Sequence, residues 1–98
     1  MTYSDADIDD ALERIAKDVA RRFELPEFHG PAMAAMLDEL RRMEAARRGG
    51  DLDAAAVFAA AAKPALERYR PTNATSRSKA VLSEAVAELL ARTAPPAP

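Results

Sequence analysis

One apolar spacing recurs in successive stretches of this chain, and it admits a single kind of secondary structure. Ile8, Leu12, Ile15, Val19 and Phe23 follow one another at intervals of four, three, four and four residues. That is one face of an α-helix, and strands would need alternation instead. Ser4 opens the segment with Asp7 three residues later, a weaker form of the capping box, and Asp5, Asp7, Asp9 and Asp10 complement a positive helix start. On the other side, Asp10/Arg14, Glu13/Lys17 and Asp18/Arg22 each set an acid four residues ahead of its base. This pattern predicts a solvated, ion-paired surface. Pro26 closes the segment, because proline disfavours helical geometry at Leu25 before it.

Glu27-Phe28-His29-Gly30 then leads to Pro31, which suits the first position of a second helix. Met33, Met36, Leu37, Leu40 and Met43 line its apolar side, and Gly49 is placed to take a left-handed cap after the basic stretch RRMEAARR. Asp51 or Asp53 caps a third helix, which runs from Ala54 to Ala62 without a charge on any face. A helix apolar all round is buried on several sides, so Ala55, Phe58, Ala59 and Ala62 are read as a self-association contact. Pro64 predicts a kink or break near Lys63, since it removes the hydrogen bond to the Ala60 carbonyl. Beyond it Leu66 and Tyr69 point inward.

Pro71 stops this helix, Thr72-Asn73-Ala74-Thr75 forms the turn, and Asn73 or Thr75 caps a fourth helix carrying Val81, Leu82, Val86, Leu89 and Leu90. No strand-like alternation or solenoid repeat appears along the sequence. The expectation is an all-α fold: a small antiparallel four-helix bundle with a Pro-kinked third helix, as a single domain over residues 1–93 with a flexible Pro/Ala tail over 94–98.

Several classes of chemistry lack their residues. The 98-residue chain has no cysteine and one histidine, so thiolate metal sites, disulfides and thiol nucleophiles are absent, and zinc would rest mainly on carboxylates. His29 has neither a second histidine nor a defined carboxylate pair beside it, and is read as a loop residue bonding a helix end. Asp5/Asp9 and Glu84/Glu88 are explained by an acidic helix start and solvated faces. Without a Gly-rich phosphate loop or nucleophile elbow, no catalytic residue, metal or cofactor is assigned and the chain is expected not to be an enzyme. The acidic start MTYSDADIDD is unlike a signal peptide and no run reaches membrane-span length, which points to the cytoplasm.

The stretch RYRPTNATSRSK, Arg68 to Lys79, resists this bland reading. Its four bases include Arg77 and Lys79 in what looks like the first turn of a helix, where cations oppose the dipole. An up-down-up-down bundle gathers Arg68, Arg70, Arg77 and Lys79 with Arg21 and Arg22 at one end, against Glu24, Glu27 and Glu67. One end should therefore be net positive. Three readings compete: internal pairing; docking of an acidic surface on a protein partner or on another subunit; and a helix-turn-helix-like segment, residues 64–92, presenting Thr75 to Lys79 to DNA. The expected function is a small, self-associating helical interaction or adaptor module with Arg68, Arg70, Arg77 and Lys79 as binding residues. A small DNA-binding regulator is the alternative.

Overall fold

Ser4 caps the first helix as its position implies. Its hydroxyl accepts the Asp7 N–H at 3.1 Å while the Asp7 carboxylate accepts the Ser4 N–H at 3.2 Å, completing the capping box. The computed structural model describes residues 3–93, so the expected tail lies outside the described residues. Helix α1 spans Asp5–Arg22, a short 3-10 turn covers Pro26–Phe28, α2 spans Gly30–Arg48, α3 spans Leu52–Arg68 and α4 spans Ser76–Thr93. Among the described residues there is no strand, and no helix is long and apolar enough to cross a membrane.

The predicted apolar stripes meet in one core. Ile8, Leu12, Ile15 and Val19 of α1 are buried with the five apolar residues of α2, with Leu66 and Tyr69, and with Val81, Leu82, Val86 and Leu89 of α4. Each of α1 and α3 packs against both α2 and α4. At one end, Arg47 and Arg48 at the close of α2 reach Asp5 and Asp9 at the start of α1, and both also bond the buried Glu44. Asp5 is held below the ordinary carboxylate range, chiefly by its hydrogen bond from Arg47.

Four local expectations change. Phe23 follows the last turn of α1 and is 39 % exposed, because the helix ends at Arg22, ahead of the proline. The left-handed cap of α2 is Gly50, with φ +84°, while Gly49 stays right-handed. The Asp51 N–H reaches the Ala46 carbonyl and the Gly50 N–H reaches that of Arg47, the paired bonds of a Schellman end. Helix α3, capped by the Asp51 side chain at the Ala54 N–H, continues through the exposed Pro64, so of the kink or break expected near Lys63 the break does not occur. The fourth change concerns Asp18 and Arg22. Asp10/Arg14 and Glu13/Lys17 do form exposed pairs, but Asp18 is 3 % exposed and Arg22 is tucked in beside it.

Candidate functional site

Tyr69 directly follows α3 and is buried, and a buried phenol needs partners for its hydroxyl. It has two, Asp18 Oδ2 at 2.6 Å and Thr75 Oγ1 at 3.0 Å. An ionised carboxylate only accepts, so the Tyr69 proton goes to Asp18 and Thr75 donates to the phenol oxygen. Thr75 Oγ1 in turn accepts the Thr72 N–H at 2.9 Å. Donors thus run in one direction, from the link between α3 and α4 to a carboxylate on α1. Burial alone would raise the Asp18 carboxyl. Hydrogen bonds from Arg22, Tyr69 and Arg21 outweigh it and hold the group below its ordinary range. Burial, then the neighbouring Asp18, push the Tyr69 phenol up.

The Arg22 guanidinium bonds Asp18, lies 4.2 Å above the centre of the Phe28 ring, and donates to the Arg70 carbonyl at 2.7 Å. Phe28 meets Tyr69 edge to face, with ring centres 6.2 Å apart. From the other side, Lys79 Nζ reaches the Tyr69 carbonyl at 2.6 Å and that of Glu67 at 3.3 Å. Two cations from α1 and α4 therefore satisfy carbonyls where the last turn of α3 ends. There the helix dipole is negative, and this offsets the unfavourable place of Lys79 in the first turn of α4.

The entry to α2 is shaped by a sharp turn. His29 has φ +57° and ψ +53°, a left-handed backbone that side chains rarely adopt, and its carbonyl accepts the Met33 N–H. Gly30 follows because Phe23 presses on it: a Cβ there would stand 2.5 Å from the Phe23 carbonyl oxygen. This crossing of Phe23 over Gly30 fixes the turn between α1 and α2.

An open groove of about 1020 Å³ lies between this turn and the end of α3. Leu25, Phe28, Met33, Ala65, Tyr69 and Pro71 supply its apolar surface. Arg68, Arg70 and Lys79 border it together with Glu27, His29 and Glu67. Glu67 has Lys63 at 3.8 Å, whereas Arg68 and Arg70 are exposed without an ion-pair partner among the described residues. The groove can thus hold an apolar group beside two free guanidinium groups. Among the described residues no cluster of three or more carboxylates and imidazoles could hold a metal.

The predicted site residues divide. Arg68 and Arg70 sit on the rim; Lys79 lines the groove but spends its ammonium on carbonyls; Arg77 is exposed outside the groove. Thr75 and Ser78 are buried, and the link between α3 and α4 runs seven residues, Tyr69 to Thr75, longer than the four-residue turn read from the sequence. The network Tyr69 builds holds those extra residues against α1. Ala55, Ala59 and Ala62 lie inside the chain's own core at 0 % exposure and Phe58 is half-buried, so an outer surface on α3 is made by the neighbouring Val57, Ala60 and Ala61. The sequence reading missed Asp18 and Arg22, whose i, i+4 spacing matches two solvated pairs. One signal was present: Asp18 falls three residues after Ile15 and beside Val19, on the edge of the apolar stripe. Comparisons with protein-family models, curated proteins and solved structures find no match to this chain.

Proposed function

We propose that this chain is a small helical interaction or adaptor module, not an enzyme, whose basic end docks an acidic segment of a protein partner. In this reading the frame is an antiparallel four-helix bundle bent at Pro64, it works in the cytoplasm, and it self-associates. The observation that carries it is the pairing of free Arg68 and Arg70 with an apolar groove that the exposed Leu25 lines. Apolar anchors flanked by arginine are the kind of surface that gives protein contacts their energy. The Asp18–Arg22–Tyr69 network supports the reading too, because it holds the groove wall rigid before any partner arrives, which reduces the ordering cost of binding. DNA ranks second: of the residues from Thr75 to Lys79, only Ser76 and Arg77 are exposed.

Affinity capture from lysate of the source organism, with and without nuclease, tests this. A partner should be retained after nuclease treatment, released by salt, and lost with Leu25→Asp/Arg70→Glu. Arg77→Glu should leave it bound. Capture that depends on nucleic acid and on Arg77 would replace this reading with the DNA one.

A further inference from the structure

The outer face of α3 has an unusual order. Asp53, Val57, Ala60, Ala61, Pro64 and Arg68 are all exposed, and they fall on one side of the helix. Val57 is 67 % exposed, the most open of the large apolar side chains among the described residues. Lys63 and Glu67 lie off this face and pair with each other. The intervals along the face are four, three, one, three and four, so the series reads alike in both directions. Its two ends carry opposite charges, and neither Asp53 nor Arg68 has an ion-pair partner among the described residues.

We propose that the chain pairs with a second copy along this face, antiparallel, about a two-fold axis passing between Ala60 and Ala61. The proposal deepens the self-association part of the reading above and rests on it. A two-fold contact must be self-complementary. With the axis placed there, Ala60 meets Ala61 of the second copy, Val57 meets Pro64, and Asp53 meets Arg68 at both ends. Shifting the register would set charge against the apolar centre, so the pattern specifies its own alignment. Small side chains at the centre let the two helices approach to the short end of the usual spacing, about 8 Å. The contact is four turns long, about 22 Å from Asp53 to Arg68. One helix face of that length is small for an interface, so the pairing is weak and concentration-dependent, with Kd on the order of 0.1 mM. Arg68 stands where this face meets the groove, and Arg70 remains on the rim when Arg68 is engaged.

Sedimentation velocity on the full chain across roughly 0.01 to 1 mM brackets that value. The wild type should pass from monomer to dimer. Val57→Glu should keep its helical circular dichroism and stay monomeric, a weakening of about a hundredfold, because the symmetry buries two carboxylates in an apolar contact. Asp53→Arg alone and Arg68→Asp alone should each weaken pairing about tenfold by setting like charges together, and the double reversal Asp53→Arg/Arg68→Asp should restore it. A wild type that stays monomeric throughout would remove self-association altogether. A dimer indifferent to Val57→Glu, or one that the double reversal fails to restore, would leave self-association standing and overturn this face.

Discussion

Asp18→Asn changes one atom and removes the charge that organises the basic end. The amide keeps the carboxylate's shape and can still accept from Tyr69, but the guanidinium of Arg22 loses its counter-ion. Taking one partner from a buried ion pair costs about 3 to 5 kcal/mol. Here the loss is smaller. Arg22 retains the Arg70 carbonyl and the Phe28 ring, and its side chain is 20 % exposed. We expect about 2 to 3 kcal/mol in urea unfolding at neutral pH, with a fall in Tm of about 10 to 20 °C for a domain of this size. Tyr69→Phe removes a hydrogen bond to a charged group and should cost about 2 kcal/mol. The two changes remove parts of one network, so together they should cost less than their sum by about 0.5 kcal/mol or more.

The pH dependence carries the same argument. The Asp18 carboxyl is held below its ordinary value of 3.8 in the fold, so its contribution is complete above that value and is lost as pH falls through the lower folded one. Asp18→Asn has no such contribution to lose. The stability gap between wild type and variant should therefore close as pH falls below 3.8. A cost under about 0.5 kcal/mol, as for a surface change, together with a gap that stays constant into acid, would refute the buried network.

Three further substitutions follow from the same geometry, each read by thermal and urea unfolding. Lys79→Ala should lose about 1 kcal/mol, because it uncaps the carbonyls after α3; a neutral or stabilising result would mean that its place in the first turn of α4 dominates. His29→Gly should gain about 1 kcal/mol by relieving the left-handed backbone, whereas His29→Gln, still strained, should match wild type; equal stabilities for all three would show that position 29 carries no strain. Gly30→Ala should cost about 2 to 3 kcal/mol, since the added methyl meets the Phe23 backbone, and a change within 0.5 kcal/mol of wild type, at about the noise of such measurements, would show that the turn gives way freely.

How much of this was legible in the sequence depended on how far apart the cooperating residues lie. The stripes of α2 and α4 and that of α1 as far as Val19, the Ser4 and Asp51 caps, and the pairs Asp10/Arg14 and Glu13/Lys17 are local, and they form as read. The basic end is not local. Asp18 is buried because Tyr69, fifty-one residues later, closes over it, and Lys79 finds its partners only where α3 stops against α4. The uncharged run Ala54–Ala62 is a middle case: composition signalled burial, but only packing decides that Ala55, Ala59 and Ala62 face the core while Val57, Ala60 and Ala61 face out.

The claim that the groove beside Arg70 is the contact surface is tested most directly by photo-crosslinking in nuclease-treated lysate. A photoreactive side chain is placed at position 25, which lines the groove and is 46 % exposed, and for comparison at position 14, on the exposed side of α1. The account predicts a discrete adduct from position 25 alone, joined to an acidic segment of the partner, diminished by salt and abolished by Arg70→Glu. Equal adducts from both positions, or one from position 25 that survives Arg70→Glu at full yield, would contradict it.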